Sequence, residues 1–322
     1  MSDAEHPLWP HAGRGERRFD VLGIGQNALD RLCSVRSPVV PGEKRSLPSF
    51  EERPGGQVAT AVLTCARLGL RCAYAGRVGD DSAAEAVLAP LRAAGVHLDG
   101  VEVIPETPTQ TAVILVDPDD GERTILWHRA PALHLTPAAA AGAGVESARL
   151  LLLDAADPEA ATAAAQCAGR AGIPVILDAD RYDAALDPLL ALVDFPLVSR
   201  QFAETFSETG CVRETLRGLL RAGARLAVVT LGDRGAIAAT GEEVIEIPAA
   251  PVSAVDTTGA GDVFHGAFAW AVLDGRAARP ALRIAAAAAA LNCRAAGAQG
   301  GIADRAALES FLQSWREDGD RS

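Results

Sequence analysis

The stretch that decides the fold is AVDTTGAGDVFHGAFAWAV, residues 254 to 272. Its small residues Gly259, Ala260 and Gly261 precede an apolar run with the spacing of a helix. A glycine-bearing turn at the start of a helix presents unpaired N–H groups and the positive end of the helix dipole. This combination binds anions, so the sequence predicts an anion hole at residues 259–261.

Asp262, in the first turn of that helix, has two interpretations. The simpler one is a carboxylate that caps a core helix. A cap, however, requires neither Gly-Ala-Gly immediately before it nor a second acid, Asp256, six residues upstream. An anion hole beside a carboxylate is typical of phosphoryl transfer, in which the carboxylate accepts a proton from the attacking hydroxyl. The pattern therefore favours Asp262 as a general base.

The composition excludes several classes of protein. The formal net charge of −12 argues against nucleic acid and anionic membranes as partners. No run of 18 apolar residues occurs, so no membrane span is expected. The six cysteines are scattered without a C-x-x-C pair, which indicates reduced thiols in a cytoplasmic protein. Residues 1–18 mix charge with Pro and Gly and are predicted to be a disordered leader.

Lys44 is the only lysine of the chain. A P-loop requires G-x-x-x-x-G-K-[ST], and a protein kinase requires a strand lysine, so both classes are excluded. Any phosphate must be held by main-chain amides and arginines.

The order of predicted elements is typical of an α/β domain. Apolar runs alternate with helix-length segments and predict βαβ units, a parallel sheet and helices on both of its faces. The predicted strands are 19–25, 71–77, 149–154, 173–178, 194–198 and 225–230, and the predicted helices are 57–68, 81–95, 158–171, 212–222, 260–273, 279–295 and 304–314. Residues 32–54 and 99–128 break the rhythm and predict a small β-sheet lid, with a hairpin turn at 117–121. A second hairpin, 235–247, predicts an edge of the main sheet.

Four stretches resemble the signatures of the ribokinase/PfkB carbohydrate kinases. They are Asp256-Thr-Thr-Gly-Ala-Gly-Asp262 with the following V-F-H-G-A-F, the segment Gly55–Gly69, Gly76-Arg-Val-Gly-Asp-Asp81 and Thr230-Leu-Gly-Asp-Arg-Gly235. The resemblance spans residues 19–315, the predicted kinase domain, and leaves 316–322 as a flexible tail. It implies a ribokinase-like, Rossmann-type three-layer sandwich with a lid that closes on the sugar. It also implies ATP with Mg²⁺, and a homodimer formed through the exposed face of the lid.

The resemblance also implies roles for individual residues. Asp262 would be the catalytic base, and Gly259, Ala260 and Gly261 the anion hole. The residues that would face the sugar are Asn27, Asp30, Gly55, Gly56, Gln57 and Thr60, and those that would line the nucleotide are Thr230, Gly232 and Gly235 with Gly259 and Gly261. Asp256 and Thr258, with carbonyls at 295–297, would hold a monovalent cation such as K⁺.

Two departures alter what the resemblance implies. Thr60 stands where relatives commonly carry an Asn that contacts substrate. The stretch Ser199-Arg-Gln-Phe202 lacks the N-x-x-E motif that organises the metal in many members. Some ketohexokinase-like and sulfofructose-kinase-like members share a Ser-led version, which favours a ketose or its derivative as substrate.

Three smaller features keep alternatives open. His265, on the same helix face as Asp262, is either a packing residue or one that tunes the site. Arg129, at the end of a predicted lid strand, is either solvated or pairs with an anionic group of the substrate. The run Asp178-Ala-Asp180-Arg181 follows a strand, at the edge where α/β sheets bind ligands.

The leading hypothesis is thus an ATP-dependent kinase for a small sugar, with a nucleoside kinase as a close variant. A catalytically silent sensor on the same fold is an alternative, because N-x-x-E is missing. A dinucleotide-dependent oxidoreductase would depend on the glycines at 23–28, VLGIGQNALDRL. Residues 30–35 have an extended pattern, however, so no helix follows those glycines as a dinucleotide turn requires.

Overall fold

The computed structural model describes residues 6–9, 17–36, 38–117, 119 and 123–315. The strands of this part are β1 Phe19–Ile24, β2 Ala28–Ser34, β3 Phe50–Gly55, β4 Cys72–Gly79, β5 His97–Ile104, β6 Thr111–Val116, β7 Arg123–His128, β8 Ala148–Asp154, β9 Val175–Ala179, β10 Phe195–Ser199, β11 Ala227–Thr230, β12 Ala236–Ala239 and β13 Val244–Ile247. The helices are α1 Gln57–Arg67, α2 Ser82–Ala93, α3 Pro137–Ala141, α4 Pro158–Ala171, α5 Asp187–Leu190, α6 Arg200–Phe206, α7 Val212–Ala222, α8 Ala260–Leu273, α9 Ala278–Asn292 and α10 Arg305–Ser314.

The main sheet has the strand order β13-β12-β11-β10-β9-β8-β1-β4-β5. Strands β11 to β5 in this order are parallel, and β12 and β13 add an antiparallel hairpin at the β11 edge. The hairpin predicted at 235–247 is therefore confirmed at the edge of the main sheet. The central strands are buried on both faces, which explains their nearly continuous apolar sequence.

Helices cover both faces of this sheet and produce three layers. Along β8, Leu150 and Leu152 pack into the core under α1, α8 and α9, whereas Leu151 and Leu153 pack into the core under α4. This alternation is the period of two that a strand imposes on its side chains. The predicted α/β three-layer sandwich is confirmed.

A second sheet, with the order β3-β2-β6-β7, forms the lid. Its bounds correct the prediction in two respects. The lid begins at Ala28, because β2 pairs with β3 along its length. Residues 99–104 belong to β5, which pairs in parallel with β4 after the crossover through α2 and so lies in the main sheet.

The β6–β7 pair is antiparallel, with Thr111 opposite His128, as a hairpin requires. The predicted turn at 117–121 lies largely outside the described residues.

Residues 6–9 correct the prediction of a disordered leader. Leu8 N–H donates to Arg276 O at 3.1 Å, and the Trp9 ring stands edge-on to Phe195 at 6.3 Å. The Arg225 guanidinium lies 4.4 Å from the Trp9 ring centre. The charged residues and prolines of residues 1–18 favour disorder, but Leu8 and Trp9 are apolar and pack against the domain. Residues 1–5, 10–16 and the predicted tail 316–322 lie outside the described part.

No helix in the described ranges is long and apolar enough to cross a membrane.

Candidate active site

Acidic and hydroxyl side chains gather at the carboxyl edge of the main sheet. Asp154 ends β8, Asp178 lies near the end of β9 with Asp180 just beyond it, and Ser199 and Thr230 end β10 and β11. These four strands are parallel neighbours, so their carboxyl ends meet at one edge. Open α/β sheets bind ligands along this edge.

The amino terminus of α8 supplies the predicted anion hole. Gly259 precedes the helix with φ of 74°, and a Cβ there would lie 2.4 Å from Ala298 O. Only glycine satisfies both demands. The Ala260 N–H donates to Thr257 O at 3.3 Å, whereas the described residues offer no acceptor to the N–H groups of Gly259 and Gly261. Asp262 follows in the first turn of the helix.

Asp262 lies in a strongly acidic environment. Burial raises the pKa of its carboxyl well above the usual value, and the charges of Asp178 and Asp180 raise it further. Burial and the charge of Asp178 likewise raise the pKa of Asp180 to about 6. Clustered carboxyls with shifted pKa values are typical of functional sites, because neighbouring carboxylates resist ionising together.

The residues predicted to face the sugar meet where the lid joins the main domain. A Cβ on Gly55 would lie 2.1 Å from Asp30 Oδ2, and one on Gly56, whose φ is 94°, would lie 2.3 Å from Asn27 Cα. Gly55 therefore lets the chain approach the Asp30 carboxylate, and Gly56 lets it cross the main chain of Asn27. Burial raises the pKa of Asp30 to about 7, with a smaller contribution from Asp256.

Asn27 and Gln57 both offer hydrogen-bonding groups at this junction. Asn27 Nδ2 donates to Tyr74 Oη at 2.7 Å, and its buried Oδ1 has no donor within the described part. Gln57 Nε2 donates to Asp180 Oδ2 at 3.1 Å and so links the lid junction to the acidic cluster. Thr60, by contrast, is fully buried and accepts a hydrogen bond from Gln299 at 3.2 Å. The structure thus places Thr60 in the packing behind the junction.

The predicted nucleotide residues form the turn between β11 and β12. Leu231 N–H donates to Gly235 O at 2.7 Å and closes the turn. Gly232 has a φ of 64° with open space around it, and a Cβ on Gly235 would lie 2.0 Å from Ile247 O. Thr230 and this turn lie on the β11 side of the same edge, while the sugar residues lie on the β1 side.

The residues predicted to hold a monovalent cation are also brought together. Asp256 accepts hydrogen bonds from the N–H groups of Thr258 and Gly297, both at 2.8 Å. The hydroxyl of Thr258 is buried and has no partner among the described residues. Asn292, which the sequence reasoning missed, donates to Thr258 O at 3.2 Å and Ala298 O at 3.0 Å. Carbonyl oxygens such as those of Thr258 and Ala298 are the ligands that a hard cation prefers.

Arg129, predicted to be solvated or to meet an anionic group of the substrate, is paired within the protein. Its guanidinium donates to both carboxylate oxygens of Asp157, at 3.1 and 2.6 Å, and to Leu133 O at 2.8 Å. The side chain is only 5% exposed. In this structure the charge of Arg129 is committed to anchoring the end of the lid, and its pairing with an anionic group of the substrate stays a prediction. The lid arginine that reaches the segment before the predicted anion hole is Arg123, which donates to the Thr257 hydroxyl.

The stretch that lacks N-x-x-E is the start of a helix. Ser199 Oγ accepts from Phe202 N–H at 3.2 Å, which caps α6, and donates to Asp180 O at 2.8 Å. Glu204, further along α6, pairs with Arg200 at 3.6 Å. In this chain the segment supports Asp180 through Ser199.

Asp154 is a further site residue that the sequence reasoning missed. It accepts hydrogen bonds from the N–H groups of Gln26 at 2.6 Å and Ala156 at 3.0 Å. Burial raises its pKa to about 7. The sequence could have indicated Asp154, because it is the acidic residue that ends the apolar run 149–154.

His265 lies beneath Asp262 and is almost fully buried. Its Nε2 is 3.1 Å from Leu197 O and its Nδ1 is 3.2 Å from Asp178 Oδ2. One donor atom from each of Asp178, Asp262 and His265 lies within 4.8 Å of the other two. His265 is therefore both a buried packing residue and a direct neighbour of the acidic cluster.

Comparisons with known proteins show the family to which the chain belongs. The model of the pfkB family of carbohydrate kinases matches residues 21–305. The chain is 30% identical to the ribokinase of Bacillus subtilis (strain 168) over 297 residues, covering 91% of this chain and 99% of that protein. It is 32% identical to a ribokinase of Arabidopsis thaliana over 308 residues, covering 90% and 80%. The structure of Arabidopsis thaliana ribokinase complexed with ribose and ATP is similar, with a TM-score of 0.79, 26% identity and coverage of 92% and 99%.

The matched region extends from β1 to the start of α10 and contains every element of the candidate site. The chain belongs to the pfkB family of carbohydrate kinases.

Proposed function

We propose that the chain is an ATP-dependent sugar kinase that transfers the γ-phosphoryl group of MgATP to a hydroxyl of a small sugar. The observation that carries the proposal is the amino terminus of α8, where free amides of Gly259 and Gly261 adjoin the Asp262 carboxylate. Membership of a carbohydrate kinase family supports the reaction class.

The proposed step follows from this arrangement. Asp262 takes the proton of the substrate hydroxyl while the hydroxyl oxygen forms a bond to the γ-phosphorus, and the bond from that phosphorus to the β–γ bridging oxygen breaks to release ADP. The amides of residues 259–261 and the helix dipole stabilise the negative charge on the transferred group. Mg²⁺ enters with the nucleotide. Closure of the lid excludes water from the transfer.

The sugar would contact the junction between lid and domain. Asp30 offers a carboxylate and Asn27 offers an unpaired carbonyl oxygen, and both accept hydrogen bonds from sugar hydroxyls. The helix cap at Ser199, which replaces N-x-x-E, supports a ketose or a ketose derivative as the substrate class. Two ribokinases among the relatives make ribose the first competitor.

Turnover is tested with Asp262→Asn. The variant keeps the shape of the side chain but cannot accept the proton, so kcat is expected to fall by roughly 10²–10⁴. Sugar and nucleotide affinities, measured by calorimetry, are expected to remain. Asp274→Asn, at the other end of α8, is the matched control and keeps kcat. Activity near that of wild type in Asp262→Asn would refute the base assignment.

The silent-sensor alternative is tested by ADP release from the wild type. A panel of ribose, fructose, sugar acids, nucleosides and sulfonated or phosphorylated ketoses is incubated with MgATP. Sugar-dependent ADP release identifies a kinase and ranks the substrates. Sugar binding without ADP release with any member identifies a sensor.

The cluster around Asp256 is proposed to hold K⁺. Its support is the buried, unpartnered hydroxyl of Thr258 beside the carboxylate. Replacement of K⁺ by tetramethylammonium is expected to lower the activity of the wild type, and Thr258→Val is expected to lose this dependence. Equal activity of the wild type in both salts would exclude the site.

A further inference from the structure

His265 and Asp178 contact each other in a way that requires a proton between them. Leu197 O is a main-chain carbonyl and can only accept, so the His265 Nε2 at 3.1 Å must carry a hydrogen. A neutral ring with that hydrogen presents a lone pair at Nδ1. Nδ1 lies 3.2 Å from Asp178 Oδ2, which is also an acceptor when ionised. Two lone pairs at this distance repel, whereas one shared proton makes an attractive contact.

No other donor satisfies these two atoms. Nδ1 and Oδ2 are both buried and neither makes a regular hydrogen bond within the described residues, so the 3.2 Å contact between them is the place left for a proton. The side chains of His265 and Asp178 are 5% and 4% exposed, so water does not screen them. A buried acceptor left unpaired is costly, which favours the protonated pair.

The charges around the pair are mostly negative. Asp154 lies on β8, Asp180 follows β9, Asp30 lies on β2 of the lid, and Asp262 lies one turn earlier on α8. Helix α1 contributes the neutral thiol of Cys65, which contacts Gly266 O. Two arginines oppose this negative charge from a distance. Arg123, which hydrogen-bonds the Thr257 hydroxyl, lowers the pKa of Asp180, and Arg129, which pairs with Asp157, lowers that of Asp154.

We propose that His265 and Asp178 share one proton beneath Asp262, and that the imidazolium so formed keeps Asp262 ionised at neutral pH. This deepens the proposed function and rests on it, since Asp262 must be a carboxylate to accept the substrate proton. His265 is then a positioning residue that acts through Asp262. Burial alone would lower the pKa of His265, but the charge and hydrogen bond of Asp178 outweigh it and the pKa is raised.

The arrangement explains how a base can function in an acidic cluster. Asp262 has acidic neighbours that raise its pKa and favour its protonated, inactive form. Paired with an imidazolium, Asp178 adds no net charge to the cluster. Without the imidazolium, the buried charge of Asp178 acts on Asp262 in full.

The first experiment measures the proton directly. ¹⁵N NMR of the imidazole nitrogens distinguishes imidazolium from the neutral ring, and the signals of His265 are assigned by their loss in His265→Gln. Both nitrogens of His265 are expected to be protonated at pH 7.5 in the wild type and to become those of a neutral ring in Asp178→Asn. A neutral ring in the wild type at pH 7.5 overturns the proposal. So does a stoichiometric metal ion in the purified protein.

The second experiment measures the acidic limb of the pH profile of kcat/KM. His265→Gln leaves the charge of Asp178 unbalanced and is expected to move this limb upward by about one pH unit or more, because a like charge within a few ångströms raises a carboxyl pKa by that amount. The double variant His265→Gln with Asp178→Asn removes both charges and is expected to return the limb to within about 0.3 of wild type, since that charge–charge effect is gone.

A merely structural role predicts a different pattern. Phe264→Leu, at the buried neighbour of His265, is the control that loosens the packing without a charge change, and its limb is expected to stay in place. If His265→Gln lowers kcat with an unmoved limb, or the double variant does not restore the limb, the proposal is wrong. If the wild type itself releases no ADP with any sugar, the proposed function fails, and the NMR experiment still decides whether the pair holds its proton.

Discussion

Replacing Gly259 by alanine tests the anion hole, because the new Cβ would have no room. It would lie 2.4 Å from Ala298 O and 2.6 Å from Ala298 Cα, both main-chain atoms that a side-chain rotation cannot move. Real Cβ contacts do not fall below 3.0 Å, so the turn must shift by roughly 0.6 Å or more. The φ of 74° adds a strain of about 1–2 kcal/mol for a residue with a Cβ.

The shift acts on catalysis through the amides of residues 259–261. A displacement near 1 Å costs about 10²-fold in rate, and loss of one amide donor costs about 10²–10³-fold. We therefore expect kcat to fall by about 10²–10³ in Gly259→Ala, measured by coupled ADP release. Sugar affinity is expected to remain, because the sugar junction lies on the lid side of the site.

Gly275, at the other end of α8, provides the control. Its φ is 75°, nearly that of Gly259, but no atom lies within 4 Å of a Cβ placed there. Gly275→Ala therefore isolates the φ strain and is expected to lower the stability by about 1 kcal/mol with kcat unchanged. A kcat in Gly259→Ala that matches that of Gly275→Ala would show that the reasoning from the close approach is wrong.

Three further predictions concern the lid and the acidic cluster. Arg129→Ala removes the ion pair of buried Asp157, which keeps His134 Nδ1 and the Leu135 N–H as partners. The free energy of unfolding in urea titrations is expected to fall by about 1.5–3 kcal/mol, with sugar KM unchanged; a raised KM at unchanged stability would instead support the substrate role. Asp30 has a pKa near 7 in the folded protein, above its unfolded value, so its contribution to stability is fully present below pH ~4 and is lost as the pH rises through 7. Without ligands, Asp30→Asn is expected to lose less stability than wild type between pH 5 and 8, by about 2–3 kcal/mol, because about two pH units of this range lie below the folded pKa. Identical slopes in denaturant titrations would contradict this. Ile125 and Trp127, which are 48% and 67% exposed and share one face of β7, are proposed as part of the interface of the predicted homodimer. Trp127→Glu is expected to turn a dimer into a monomer in light scattering, and a monomeric wild type would refute the interface.

The parts of the site that could be predicted are those in which one short segment carries the whole chemistry. Gly259 to Asp262 form the start of a helix, and a helix start positions amides and a carboxylate whatever surrounds it. The βαβ alternation likewise follows from local apolar periods. These features determine the sheet, its layers and the position of the predicted base.

The remaining parts depend on which distant segment faces a given side chain. β5 has no alternation of buried and exposed residues, so only its pairing with β4 shows that it belongs to the main sheet. Arg123 and Arg129 both lie in the lid region, and the sequence does not show that Arg129 is the one that pairs with Asp157. The pattern around His265 is equally consistent with packing or tuning, because Asp178 lies on another strand.

The crossing between β1 and β2 has a consequence for how recognition and motion are related. The lid strand β2 begins four residues after the central strand β1 ends, and Asn27, within that connection, is fixed to Tyr74. Asp30 stands only three residues beyond Asn27. A tilt of the lid about this connection must therefore carry the Asp30 carboxylate with it. A ligand that moves the Asp30 carboxylate must therefore also move the lid, so the predicted binding of sugar at Asp30 would be coupled directly to closure of the lid.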